Sequence, residues 1–224
     1  MGYYIDLKSI SIDAYKEILK ATHLIPSWQI LEDGIDENLD RIKQNNVQNL
    51  DELLTVLKDK DKIAAFSMQS GLSASYLGVL KRVVNGYRQK PNRIKDFACL
   101  TEDTVHKLER LGLKNTLKLY GEILTEEKRN KLSNETGIDK REMLKLAKLT
   151  DLSRIRWVNH TFAYVLLEAG YDTAEKVAKA DSQELYETVK QLNEEREIYN
   201  AHIGVRDMKM CIDAAKGLDF EVEY

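Results

Sequence analysis

The sequence predicts an all-α protein built from repeated helical hairpins, and three observations carry that expectation. Only 2 Pro and 11 Gly interrupt 224 residues, so little breaks a helix. Hydrophobic residues make up 43% of the chain and charged residues 32%, which suits a buried core under a solvated surface, and β-branched runs that would favour strands are scarce. The third observation is internal repetition, anchored on Val47, Leu113 and Tyr171.

Each anchor sits in the same surroundings. Ile42, Leu108 and Leu166 precede it by five residues, and Leu39, Val105 and Ala163 by eight, a spacing that lays one apolar stripe along a helix. Two residues after each anchor stands a helix-capping type, Asn49, Asn115 or Thr173, followed four residues on by Leu53, Leu119 or Val177. Gly112 and Gly170 come directly before their anchors and suit the left-handed residue that ends a helix.

Farther on, Gly71-Leu72-Ser73 and Gly137-Ile138-Asp139 keep one offset (71 − 47 and 137 − 113 both give 24), and each introduces another amphipathic helix. The third copy reaches its expected counterpart, Gly204-Val205, after a longer interval, because a polar helix containing Gln191-Leu-Asn-Glu-Glu-Arg-Glu intervenes with an expected solvated face. At the N-terminus, Ile12-Asp13 with Tyr15, Ile18 and Leu19 resembles Ile138-Asp139 with Met143, Leu144 and Leu146, and reads as the closing helix of a partial unit. Linkers are expected near Gly86 to Asn92 and around Thr150-Asp151, giving a diverged unit over 1–90 and a two-repeat domain over 91–224.

From about Ile94 to Leu218 the chain resembles a bacterial helix-hairpin-helix-related family, the domain of unknown function numbered 4332. Five segments carry the likeness: Leu113-Lys-Asn-Thr-Leu, Thr136-Gly-Ile-Asp-Lys, Asp151-Leu-Ser-Arg-Ile, Leu166-Leu-Glu-Ala-Gly-Tyr-Asp-Thr and Ile212-Asp-Ala-Ala-Lys-Gly-Leu. Residues 1–93 look like a diverged relative of the same tandem helix-hairpin-helix-like repeats. The resemblance implies paired helical hairpins sharing a core, in a superfamily whose better-known members grip DNA phosphates through the bare backbone of a Gly-x-Gly turn. The positions matched to those glycines are Cys99 and Thr101 in one hairpin, Trp157 and Asn159 in the other, so the resemblance transfers fold more readily than DNA binding.

Composition restricts function in the same direction. A net charge of −3 gives the whole molecule no pull on phosphate, so any such attraction must be local. Cys99 and Cys211 are far apart with no CxxC pattern, which suggests neither a zinc site nor a disulfide framework and favours a reducing cytoplasm. No leader pattern and no span-length apolar stretch is evident. His23, His106, His160 and His202 are scattered, and no phosphate loop, nucleophile elbow or paired-carboxylate pattern appears, so neither a catalytic site nor a cofactor or metal is expected.

Thr101 and Asn159 read as helix N-caps, with Glu102 and Asp103 suited to the positive helix end. Trp157 either fills the core between hairpins or anchors an interface. Two basic regions stand out: Lys81, Arg82, Arg88, Lys90, Arg93 and Lys95 in the linker, and Lys140, Arg141, Lys145, Lys148, Arg154 and Arg156 farther on. The usual reading of both is solvated surface charge, and the same holds for the acidic run Glu32, Asp33, Asp36, Glu37 and Asp40, whose other role would be to meet the basic face of another copy. The expected function is non-catalytic binding or scaffolding of a protein partner or a second copy, with Trp157, Arg154, Arg156 and Asn159 as contacts. The alternative is sequence-independent nucleic-acid binding through the six linker cations and the helix start at Thr101.

Overall fold

The structure, a computed structural model, describes residues 2–22 and 24–224; His23 lies outside them. Every regular element among the described residues is helical, and the chain divides into two compact units, one of Gly2 and Tyr4–Arg88 and one of Tyr3 and Gln89–Tyr224.

In the N-terminal unit, α1 (Ile12–Ala21) and a 3-10 turn (Pro26–Leu31) precede α2 (Ile35–Gln44), α3 (Leu50–Val56), α4 (Lys60–Ser70) and α5 (Ala74–Asn85). Leu39, Ile42, Val47, Leu50, Leu53 and Leu57 all enter its core, as the apolar spacing requires. Ser11 caps α1 by accepting from the Ala14 N–H, whereas Asp13 lies inside the first turn. The likeness of Ile12-Asp13 to Ile138-Asp139 therefore misplaces the cap, since Asp139 does cap its own helix. Lys16 bridges Asp36 and Asp40 and Lys20 pairs with Asp36, so part of the acidic run is spent inside this unit.

The C-terminal unit contains a 3-10 turn (Ile94–Asp96), then α6 (Glu102–Arg110), α7 (Thr116–Ile123), α8 (Glu126–Thr136) and α9 (Lys140–Leu152). It continues with α10 (His160–Glu168), α11 (Ala174–Ala178), α12 (Ser182–Arg196) and α13 (Val205–Ala215). Asn49, Asn115 and Thr173 cap α3, α7 and α11 with their side chains, in near-identical extended conformations. The segments anchored on Val47 and Leu113 keep a constant separation of 66 (115 − 49, 137 − 71) even in side-chain bonds: Ser67 Oγ donates to Leu72 O and Ser133 Oγ to Ile138 O. Left-handed residues come in pairs, Asn46 and Gly71, Gly112 and Gly137, Gly170 and Glu197; the first member always directly precedes the anchor, and the second follows it by 24 residues in two segments but by 26 (197 − 171) in the third.

The last pair corrects an expectation. Glu197 (φ 48°), not Gly204 (φ −125°), occupies the left-handed end of α12, while Gly204 is the N-cap of α13. The helix α12 does present a solvated face, with Gln191, Glu194, Glu195 and Arg196 exposed, while Leu185, Val189 and Leu192 are buried on its other side. A side chain with a Cβ is strained at positive φ, so Glu197→Gly should stabilise the C-terminal unit by about 1 kcal/mol. A higher urea midpoint with unchanged slope is the expected reading; an unchanged or lower midpoint would show that the left-handed turn costs nothing.

The expected linker around Thr150-Asp151 is instead the last turn of α9, buried. Asp151 accepts from Arg154 Nη1 (2.9 Å), from the Ala174 N–H (2.8 Å) and from the Tyr224 hydroxyl (2.9 Å). Arg154 in turn donates to Tyr3 O and Asp219 O and stacks on Tyr120, 4.8 Å from the ring centre. This polar knot ties the segment after α13 to the end of α9 and the start of α11. Burial, then the Asp151 carboxylate beside it, pushes the Tyr224 hydroxyl far above its ordinary range.

Candidate functional site

The segment between α9 and α10 is buried from Ser153 to Arg156 and again at Val158, and only Trp157 and Asn159 are exposed, as a tip whose backbone is fixed. The Trp157 N–H donates to Gln89 Oε1 (3.2 Å), and Val158 O accepts from Gln89 Nε2 (3.2 Å) and Asn92 Nδ2 (3.3 Å). Asn159 caps α10 by accepting from the Phe162 N–H at 2.9 Å. Between these fixed points Trp157 takes a left-handed conformation, φ 70°, and leaves 43% of its surface exposed, so it does not fill the core. The Arg156 guanidinium stacks on one face of the indole at 4.4 Å from the ring centre.

Beside the tip lies an open cleft of about 360 Å³. One wall is Arg156, Trp157, Asn159, Thr161 and Phe162; the other is Tyr199, His202 and Ile203 with Asp207, Met210 and Cys211 from α13. The second wall is held by Asn193, whose amide accepts from the Tyr199 N–H (2.9 Å) and donates to Tyr199 O (3.0 Å). Asp207 Oδ2 accepts from the Gly204 N–H at 2.8 Å, closing the start of α13. Burial pushes the Cys211 thiol up to about 12, so it stays protonated at neutral pH and contributes only apolar surface. Cys99, half-buried outside the cleft, is also raised by burial, with Lys145 opposing.

Of the four expected contacts, the cleft brings Arg156, Trp157 and Asn159 together. Arg154 departs from the expectation: its guanidinium is buried and occupied by Asp151 and two carbonyls, so it offers nothing to a partner. Tyr199, His202, Ile203 and Met210 were not expected. No local pattern marks them, since the wall forms only when the segment after α12 folds back against α10.

The expected phosphate contacts are scattered over both units. Lys81 donates to Lys58 O and Arg88 pairs with Asp51 in the N-terminal unit, where Arg82 is exposed. In the C-terminal unit Lys90, Arg93 and Lys95 are exposed and in no ion pair among the described residues, and Thr101 caps α6. An antiparallel bridge sets Arg93 beside Asn115, and Lys114 and Lys118, also exposed, flank that position. Of the second basic region, Lys145 reaches Cys99 O and lies over Tyr164, Lys148 pairs with Asp172, and Lys140 and Arg141 are exposed. Among the described residues no group of three or more His, Cys, Asp or Glu is placed to hold a metal, and no helix is long and apolar enough to cross a membrane.

Asp172 gives a pH test of this unit. Burial draws its carboxyl upward, but Lys148 and Lys176 outweigh it and hold it below the ordinary carboxylate range. A folded-state value below the unfolded one means the stabilisation is present above the ordinary range and lost as pH falls through the folded value. Asp172→Asn should thus destabilise at pH 7 and approach the parent at pH 3 in urea unfolding; an equal gap at both pH values would remove the pairs from the account.

The fold and cleft define an all-helical protein with a shallow, mostly apolar surface recess. The chain belongs to the family described as Domain of unknown function (DUF4332), whose profile matches residues 98–218, more than half of the chain. No curated protein and no solved structure matches it.

Proposed function

We propose that this chain is a non-catalytic protein-interaction module made of three helix-hairpin-helix-like units, with the cleft beside Trp157 as its docking surface. The tandem reading is supported by the 66-residue register of the first two copies and, in all three, by the matched caps and the left-handed residue before the anchor. Its setting is the cytoplasm, which suits two free thiols far apart in sequence.

The conformation of Trp157 carries the binding reading. A bulky residue at positive φ costs about 1–2 kcal/mol, and Trp157 is held there with 43% of its surface still exposed. Large exposed aromatics on a fixed backbone are the side chains that dominate protein interfaces. Trp157→Gly should therefore be more stable than Trp157→Ala by about 1 kcal/mol, since both lose the ring and only glycine relieves the strain. Equal stabilities would mean the tip is unstrained.

Docking is tested by a photo-crosslinking amino acid at Thr161 in living cells. Protein adducts that disappear with Trp157→Ala are expected; nucleic-acid adducts alone, or protein adducts indifferent to Trp157, would overturn the reading. A second reading, sequence-independent nucleic-acid binding, is favoured by one observation: Lys90, Arg93, Lys95, Lys114 and Lys118, on the two segments joined by the Arg93–Asn115 bridge, are exposed and in no ion pair among the described residues. Fluorescence anisotropy with DNA and RNA at low salt decides it, because phosphate contacts of this kind weaken steeply with added salt and no binding at low salt would end it.

A further inference from the structure

We propose that the joint between segment 90–96 and the turn from α6 to α7 is a membrane-association surface, which lays Leu111 and Leu117 into the headgroup layer of an anionic bilayer while the surrounding cations hold lipid phosphates. It shares no residue with the cleft beside Trp157, so the two readings stand or fall separately.

Over 90–96 and 110–118 the chain carries six cations, Lys90, Arg93, Lys95, Arg110, Lys114 and Lys118, against one acid, Asp96. The next acids along the second segment, Glu109 and Glu122, bound it on either side. All six cations are exposed and in no ion pair among the described residues. The backbone gathers them: Ile94 N–H donates to Lys114 O (3.0 Å), Thr116 N–H donates to Asn92 O (2.9 Å), and Arg93 pairs with Asn115 between those bonds. Leu111 closes α6 and Leu117 lies in the first turn of α7, 42% and 37% exposed, on either side of the left-handed Gly112.

The joint itself does not call for these side chains. The N-terminal unit builds the same one, with Ile12 N–H donating to Gln48 O, Leu50 N–H donating to Ile10 O and Ser11 paired with Asn49. At the places of Lys95, Leu117 and Lys118 it has Asp13, Asp51 and Glu52, and at the place of Leu111 it has Asn45. Acids suit the positive start of a helix, and α3 carries Asp51 and Glu52 there and α11 carries Glu175. The first turn of α7 has no acid and presents Lys118 instead, with Lys114 just before its cap. Like charges gathered at the positive end of a helix cost stability, so this joint carries a charge that its own fold works against.

An anionic bilayer complements both parts of the surface. Its phosphates meet the cations, and its acyl boundary takes aliphatic side chains out of water. A nucleic acid answers only the first part, since it offers phosphates but no apolar layer for two leucines. The leucines therefore decide between them. Association of this kind needs no membrane-crossing helix.

Co-sedimentation of the full chain with phosphatidylcholine vesicles, with and without about a third phosphatidylserine, tests the proposal. The parent should bind the anionic vesicles, release as salt rises, and ignore pure phosphatidylcholine. Lys114→Gln with Lys118→Gln should weaken binding about twentyfold, from about fivefold per cation. Leu111→Ala with Leu117→Ala leaves every charge in place and should weaken it at least about tenfold. Met68→Ala removes a more exposed apolar side chain from α4 and should change nothing. Circular dichroism melts confirm that the variants fold.

A parent chain that ignores anionic vesicles at low salt overturns the proposal. So does a leucine-pair variant that binds as the parent does, because the contact would then be purely electrostatic. A loss in Met68→Ala equal to that of the leucine pair would place the contact on another face. Tighter binding to DNA or RNA oligonucleotides than to vesicles at the same salt, untouched by the leucine changes, would give the surface to nucleic acid instead.

Discussion

Replacing Asp151 with alanine is expected to cost the C-terminal unit about 3–5 kcal/mol, the range seen when one member of a buried ion pair is removed. The carboxylate is 3% exposed and accepts from Arg154, Ala174 and Tyr224. Without it the Arg154 guanidinium is left charged among buried groups, and the first turn of α11 loses an acceptor for its N–H. Asp151→Asn, which keeps the shape and one acceptor, should lose less. In a double-mutant cycle with Arg154→Met, the two single losses should overshoot the double, because the second change removes the charge the first exposed. A single-mutant loss within about 0.5 kcal/mol, the range of an ordinary surface substitution, would show that water, not Arg154, balances the carboxylate.

Leu108→Ala should cost about 2–5 kcal/mol, through lost transfer energy and the cavity left behind. Leu108 is fully buried on α6, while Leu111, three residues on, is 42% exposed. Leu111→Ala should stay within about 0.5 kcal/mol of the parent. Chemical unfolding of the two variants side by side makes the comparison, and similar losses would mean α6 presents a different face to the core.

That contrast shows what was legible from sequence. Ile42, Leu108 and Leu166 were placed by spacing alone and are all fully buried. Asn49, Asn115 and Thr173 were recognisable as caps because few residue types can accept from a helix's free N–H groups. Periodicity and capping are local physics, and they leave local marks.

The failures share the opposite cause. Thr150-Asp151 read as a linker because polar residues are mostly exposed, yet Asp151 is neutralised by Arg154 one turn later, a pairing that Asp-x-x-Arg inside an apolar stretch does hint at. Glu197 carries no such mark, because glycine is the residue that signals a left-handed end and here the chain tolerates strain. Arg154 was judged by its charge as a surface group, although its partners come from the segments around Tyr3 and Asp219. For the left-handed Trp157 no sequence signal exists at all. The second wall of the cleft arises from tertiary convergence, which no spacing rule encodes.

The joints between successive helical segments are fastened in two ways. Leu50 N–H donates to Ile10 O and Thr116 N–H to Asn92 O, main chain to main chain, while at the equivalent place Ala174 N–H donates to a carboxylate. A peptide carbonyl is present whatever residue is encoded, so the first two fastenings survive any substitution at the acceptor. The third is written in one codon, and of the three it is the joint that a single heritable change can undo.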